Sequence, residues 1–340
     1  MQPGEHVSPA ARERFLVTGA LGCIGAWTVR TLVREQSPVV AFDLAGDRKR
    51  LRLIMSERIT FVQGDITDLG SVERALDEHE ITNLIHLAAL QVPFARANPP
   101  LGAEVNVVGT VNIFEAACRR RDRIERVVYT SSMGMFDAAD ADGSDGVLHV
   151  DAAAHPATHY GVYKLANEGN ARVYWLDNKL STIGIRPMVV YGPGRDQGMT
   201  SGPTKAILAA VVGRPYRIAF GGRTVLQYAG DVARTLIVAS RSGLEGAQVF
   251  NLGGSLTRMD ELVSAIEDAV PEARGLVTFE PQPLPFPEVI DDAGLDVLGD
   301  VPVTPMREAV RQTVEVFRSR LAQDDLDPET HGLEAAVAST

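Results

Sequence analysis

The sequence predicts an α/β fold, a doubly wound parallel sheet with helices on both faces and a smaller C-terminal substrate-binding part. Three observations carry the prediction. Short apolar runs alternate with amphipathic segments through the first half of the chain, as parallel strands joined by right-handed crossovers require. A glycine-rich loop stands between the first apolar run and the first helical segment. The 340 residues, 45% of them hydrophobic, suffice for one large domain or two intimate ones.

Taken in order, Arg14-Phe15-Leu16-Val17-Thr18 reads as the first strand, followed by the loop and a helix through about Glu35. Pro38–Asp43 and Ile59–Val62 are the next strands, and a helix near Ser71–Glu78 leads to the strand Asn83–Leu87. A longer helix is expected across Gly102–Arg120, then a strand at Arg126–Thr130. Residues 137–157, rich in Asp, Ala and Gly, break the rhythm and read as a surface loop or lid. A helix over 158–178 and a strand around Thr182–Arg186 resume it. Beyond Tyr191 the elements shorten and Gly and Pro punctuate them. The expected organisation is a disordered N-terminus (1–13), a sheet domain with the catalytic residues (14–190), a mainly substrate-binding part (191–322) and a disordered polar tail (323–340).

Net charge is -11, which argues against a general nucleic-acid binder. The basic run Arg119, Arg120, Arg121, Arg123 and Arg126 reads as a solvated helix end. Cys23 and Cys118 are the only cysteines, which is no disulfide framework and fits a reducing compartment. No signal-peptide core or membrane-spanning apolar stretch is present. No metal and no membrane partner are expected, and the cytoplasm is the expected location.

The loop Thr18-Gly19-Ala20-Leu21-Gly22-Cys23-Ile24-Gly25 lets the backbone turn sharply and approach a pyrophosphate, which the helix N-terminus then stabilises. Its position makes the predicted sheet a Rossmann domain and NAD the expected cofactor. Asp43, at the end of the second strand, is suited to accept ribose hydroxyls and to repel the extra phosphate of NADP. Arg48 and Lys49 nearby leave NADP open.

Tyr160 and Lys164 stand four residues apart, on one face of the predicted helix. An ammonium beside a phenol favours the phenolate, lowering a pKa that is otherwise about 10. Such a phenolate is a general base fit to deprotonate an alcohol. Ser131-Ser132 precedes the pair, in the chain order an alcohol-oxidising enzyme needs.

Across roughly residues 14–320, the chain resembles the extended short-chain dehydrogenase/reductases of the NAD-dependent epimerase/dehydratase kind. The resemblance rests on the glycine loop, Gly64-Asp65-Ile66, His86-Leu87-Ala88-Ala89, Asn106 in Val105–Thr110, Thr130-Ser131-Ser132, Tyr160/Lys164 and Arg186–Gly194, in that order. It implies that Gly19, Gly22, Cys23, Ile24, Gly25 and Asp43 bind the cofactor. Asp65 and Ile66 would meet the adenine, and Leu87, Ala88 and Ala89 would line the middle of NAD. Asn106 would support the site and contact the cofactor, as would Tyr160 and Lys164. His86 reads as a satisfied strand-end histidine. In the implied reaction Tyr160 takes the hydroxyl proton as hydride leaves the same carbon. Lys164 holds the ribose and keeps Tyr160 ionised, and Ser132 orients the reacting oxygen. The resemblance also implies a homodimer packed through helices 102–120 and 158–178.

Two departures narrow the reading. Dehydratases that resemble this chain place an Asp-Glu pair where Met133 and Gly134 stand, and neither side chain transfers protons. Nucleotide-sugar members carry an Arg where Thr224 stands, with Arg223 one residue off. A bidentate phosphate clamp is hard to replace, so a smaller sugar, sugar acid or polyol is open. Expected substrate contacts are Ser132, Met133 and Tyr160, with Arg195, Gln197 and Thr200 from the loop after Gly194. The leading reading is an NAD-dependent sugar epimerase. The alternative is an NAD-dependent dehydrogenase of a free sugar or sugar acid, and a third is a non-catalytic NAD-binding protein.

Overall fold

Phe15, Leu16 and Val17 are all buried in β1 (Phe15–Thr18), as a strand covered on both faces must be. The structure, a computed structural model, describes residues 13–44, 46–141 and 146–333. After β1 come α1 (Cys23–Arg34), β2 (Val39–Asp43), α2 (Lys49–Ile54), β3 (Thr60–Gln63), α3 (Leu69–Glu78) and β4 (Asn83–His86). Next are α4 (Val92–Ala97), α5 (Pro99–Ala103), α6 (Gly109–Cys118) and β5 (Arg126–Thr130). β6 (Val147–Leu148), α7 (His159–Asn178), β7 (Ser181–Arg186) and β8 (Val189–Tyr191) follow. The remainder holds α8 (Gly202–Val211), β9 (Tyr216–Ile218), β10 (Arg223–Tyr228), α9 (Ala229–Arg241) and β11 (Ala247–Asn251). It ends with β12 (Ser255–Arg258), α10 (Met259–Ala269), β13 (Val277–Phe279), β14 (Val289–Ile290) and α11 (Met306–Leu321).

The main sheet has seven parallel strands in the order β11-β7-β5-β4-β1-β2-β3. Alternate residues serve opposite faces. Phe15 and Val17 join one apolar cluster with α1 and α9, whereas Leu16 joins another with α3 and α6. The chain runs outward from β1 to β3 and then crosses to β4, so the strand order reverses between β1 and β4. Sheets of this class bind ligands at that switch point, beyond the carboxyl ends of the strands. β11 returns to this sheet from the segment expected to serve the substrate, while β8, β10 and β12 form a smaller sheet beside it.

Two expectations are corrected. The helix expected at Gly102–Arg120 is broken into α5 and α6 by a π-helical turn, Glu104–Val108. Such turns widen a helix locally and often serve function; this one carries Asn106. Nor does the chain trail away as a tail from 323. Leu326 and Leu333 pack into the main core and His331 is buried, so this polar stretch is anchored by a few well-spaced residues rather than by a periodic face. The expectations for 1–12 and 334–340 lie outside the described residues.

Three arginines of the run are paired with acids of α3. Arg119 and Arg120 meet Glu73, and Arg120 and Arg123 meet Asp77. Hydrogen bonds from Arg120 and then Arg123 hold the Asp77 carboxyl far below the usual carboxylate range. Among the described residues, no helix is long and apolar enough to cross a membrane.

Candidate active site

A cavity of about 840 Å³ opens where β1 and β4 part. The glycine loop forms its floor. Gly19 adopts φ +66°, and a side chain on it would meet Ala88 N at 2.6 Å and Leu87 C at 2.8 Å. A side chain on Gly25 would lie 2.1 Å from Gly19 O, so only glycine lets the loop fold onto the start of α1. Asp43 braces this turn, accepting from Leu21 N at 2.9 Å through one oxygen and from Leu44 N at 2.9 Å through the other.

Gly19, Gly22, Cys23, Ile24, Gly25 and Asp43 all line the cavity, as do Asp65, Ile66, Leu87, Ala88 and Ala89. Asp65 accepts from Thr67 N at 2.8 Å, and Ile66 packs against Gly109, where an added side chain would meet it at 2.6 Å. Burial pushes the Cys23 thiol up to about 12, which fits a packing role. Asn106 was expected against the cofactor, but it stands behind the wall. It is 1% exposed, accepting from Leu90 N at 2.7 Å and donating to Leu90 O at 2.8 Å. It thereby fixes the segment after β4.

His86 is satisfied on both ring nitrogens, by Thr18 Oγ1 at 2.7 Å and Thr110 Oγ1 at 3.0 Å. Burial, with the Lys164 charge second, pushes its imidazole down to about 3. That is the strand-end histidine expected.

Ser132, Tyr160 and Lys164 meet on the opposite wall. Thr158 caps α7 by accepting from Gly161 N at 3.0 Å, which sets the first turn and therefore Tyr160. Lys164 is buried, donates to Thr130 O at 2.6 Å and lies 5.6 Å from the centre of the Tyr160 ring. Ser132 Oγ accepts from Gly134 N at 3.0 Å. A side chain on Gly134 would stand 3.2 Å from Ser132 Oγ and 3.7 Å from Tyr160 Cε1, so both face one small gap. Ser131 instead donates to Glu168 Oε1 at 2.6 Å, and Glu168 grips Arg186 through both oxygens, at 2.8 and 2.7 Å.

Met133, Arg195, Gln197 and Thr200 also line the cavity. The Met133 side chain is buried among Met135, Phe136 and Ile290, so it is wall rather than handle. Arg195 donates to Thr200 Oγ1 at 3.2 Å, and its Nε is buried without a protein partner. Burial above all lowers its pKa. Sequence reasoning missed Gln91, whose buried Oε1 also lacks a protein partner, and the apolar lining from Phe94, Met188, Met199 and Phe286. Met188 belongs to the run that signalled the site; the others carry no sequence signal.

The model of the NAD-dependent epimerase/dehydratase family matches residues 15–253. The chain belongs to this family. It is an NAD-dependent enzyme of the extended short-chain dehydrogenase/reductase type, and the glycine cradle and Asp43 fit that cofactor. It is 32% identical over 320 residues to a UDP-glucose 4-epimerase of Mycolicibacterium smegmatis, covering 90% of this chain and 99% of the relative. The structure of MoeE5 in complex with UDP-glucose and NAD superposes with a TM-score of 0.75 at 29% identity, covering 91% of this chain and 99% of that one. A partial-consensus L-threonine 3-dehydrogenase gives 0.79 at 21% identity, over 90% and 99% of the two chains; that likeness speaks to the fold alone. Of the two cations that left NADP open, Lys49 stands 3.3 Å from Asp196 and Arg48 stacks 4.3 Å over Phe61.

Proposed function

We propose that this enzyme epimerises a sugar at a secondary alcohol, with Ser132, Tyr160 and Lys164 as its catalytic residues. The observation that carries the reading is their convergence beside the glycine cradle, with Met133 and Gly134 where a second acid–base pair would stand. Bound NAD supplies the hydride acceptor. Tyr160 Oη takes the hydroxyl proton and later returns it, while Ser132 Oγ donates a hydrogen bond to the reacting oxygen. Lys164, anchored on Thr130 O, places positive charge beside the phenol. Positioning and fixed charge supply most of the acceleration.

Arg195, whose buried Nε has no protein partner, receives an anionic part of the substrate, flanked by Gln197 and Thr200. The relative from M. smegmatis is named for UDP-glucose, but Thr224 stands where the resemblance places the diphosphate-clamping Arg. Thr224 is 1% exposed inside β10, and Arg223 points outward to Glu288 at 3.2 Å. This favours, as a second reading, oxidation of a free sugar acid or polyol with release of NADH. Val162, Leu165, Gly169, Val173 and Leu176 form an exposed apolar stripe along α7, spaced as an antiparallel helix pair requires. It supports a homodimer in which each copy covers the other's stripe. Cys23 and Cys118 are both free, which supports a cytoplasmic setting.

The test follows NADH absorbance with a panel of sugars, sugar acids and nucleotide sugars, then examines the same reactions for stereoisomers. Interconversion without NADH accumulation is the expected result; multi-turnover NADH formation would establish the dehydrogenase instead. Tyr160→Phe should reduce kcat by about 10²–10⁴-fold with NADH binding unchanged, and full retained activity would refute the base assignment.

A further inference from the structure

Asp196 lies next to Arg195 in the loop after Gly194, with its side chain 4% exposed, and it holds two cations of α2. Arg50 donates to Asp196 Oδ1 from Nε at 2.9 Å and from Nη2 at 2.6 Å, and from Nη1 to Leu21 O of the glycine loop at 3.3 Å. Lys49 Nζ stands 3.3 Å from Asp196 Oδ2, an ion pair without hydrogen-bond alignment.

The C-terminal segment closes over this cluster. Lys49 also donates to Thr330 O. Gly332, at φ +90°, comes so near that a side chain there would meet Asp196 O at 2.6 Å and Lys205 Cε at 2.7 Å. Buried Leu326, His331 and Leu333 anchor the segment on either side. A strap that lacks periodicity thus holds Lys49 directly and lies against the backbone of Asp196, which holds Arg50.

Lys49 and Arg50 line the same end of the cavity as Asp43, Leu44 and Asp47. That is the end where Asp43 would meet the ribose hydroxyls. An unrestrained ammonium or guanidinium there would attract the 2′-phosphate of NADP. We infer that Asp196 and the strap 326–333 make the site selective for NAD by keeping Lys49 and Arg50 engaged, so that Asp43 repels a 2′-phosphate and no mobile cation offsets that repulsion. The inference rests on the reading that NAD occupies the glycine cradle. Asp196 is a positioning residue in it, acting through the two cations and not on the reacting atoms.

The experiment measures Kd for NADH and NADPH by fluorescence titration of the purified full chain. It compares the parent with Asp196→Asn, Lys49→Met, the double variant and Gly332→Val. Asn keeps the size of Asp196 and removes its charge; Val forces the strap away from Asp196 O and Lys205 and keeps the Asp196 carboxylate. Removing one partner of a buried ion pair is destabilising, so folding is checked first by circular dichroism, and Gly332→Val carries the test should Asp196→Asn fail to fold. Asp196→Asn should tighten NADPH binding about tenfold, roughly 1.4 kcal/mol, with NADH changed less than about threefold. Gly332→Val should move the ratio the same way. Arg50 keeps its bond to Leu21 O without Asp196, so adding Lys49→Met to Asp196→Asn should return most of the NAD preference, which a merely structural defect would not do. An unchanged NADPH-to-NADH ratio in the folded variants would overturn the inference, as would a change that Lys49→Met leaves in place. Should the parent bind neither nucleotide, the cofactor reading itself fails, a result distinct from both.

Discussion

Gly19→Ala tests the glycine cradle at its tightest point. The residue sits at φ +66°, where an L side chain costs roughly 1–2 kcal/mol. The added methyl would lie 2.6 Å from Ala88 N and 2.8 Å from Ala88 Cα and Leu87 C. All three are backbone atoms, so no rotamer change relieves the overlap; the ends of β1 and β4 must separate. Overpacking of this kind adds about 1–3 kcal/mol, for a total of roughly 2–5 kcal/mol. The displaced atoms belong to the cavity wall, so NADH should bind at least about tenfold more weakly. Gly22→Ala is the control: its φ is -73° and the nearest atom to the new methyl is Gly19 O at 3.1 Å. Urea unfolding and NADH titration of both variants decide the matter. If Gly19→Ala matched Gly22→Ala in stability and bound NADH like the parent, the loop could not be packed on β4 as described.

Three further outcomes are expected. Glu168→Gln leaves the buried Arg186 guanidinium without its counter-charge and should destabilise the chain by about 3–5 kcal/mol, read by urea unfolding. His86 holds its proton only below about pH 3 in the folded chain but near 6.5 in the unfolded one. Its contribution is therefore complete above pH 6.5 and lost as pH falls toward 3, at about 1.4 kcal/mol per unit. His86→Gln should shrink the stability difference between pH 7 and 5 by about 2 kcal/mol, and an unchanged difference would count against the burial argument. Leu176→Asp, in the exposed stripe of α7, should convert a dimer to monomer in sedimentation velocity with the fold intact.

The sheet was legible because its signals are local. A strand buried on both faces reads as an unbroken apolar run, and Phe15–Val17 is such a run; Gly19, Gly22 and Gly25 mark a turn that tolerates no side chain. The Tyr160–Lys164 pair was legible from helical spacing alone. What escaped depends on contacts between distant segments. Asn106 was expected against the cofactor, but its amide is spent on Leu90 in a register that the π-helical turn sets, and no residue pattern announces a π turn. The strap was expected to be disordered because Leu326, His331 and Leu333 show no period, although all three are buried. Asp196 joins Lys49 and Arg50 across about 146 positions of sequence, a separation over which residue patterns carry no information.

The two ends of the cavity answer to different constraints, and this bears on how far the relatives can guide the choice of substrate. The cofactor end is built from backbone: a positive φ at Gly19, close approaches at Gly25, and Asp43 bracing the turn through two amides. Few alternatives satisfy that geometry, so likeness to NAD-binding relatives transfers well. The substrate end is built from side chains on separate loops, and one substitution changes what it can hold. Thr224, buried inside β10, stands where the resemblance places a diphosphate-clamping Arg, and Arg223 is paired with Glu288 at the surface. Arg195 lines the same cavity as Ser132 and Tyr160, and its buried Nε has no protein partner. A carboxylate near the reacting alcohol satisfies that guanidinium with little added bulk, whereas a UDP-sugar places its charge on the diphosphate. Kinetics with a matched pair, a free sugar acid and its nucleotide-linked form, separate the two: preference for the free acid would follow from the placement of Arg195, and strict dependence on the nucleotide would show that some other group has taken over the clamp.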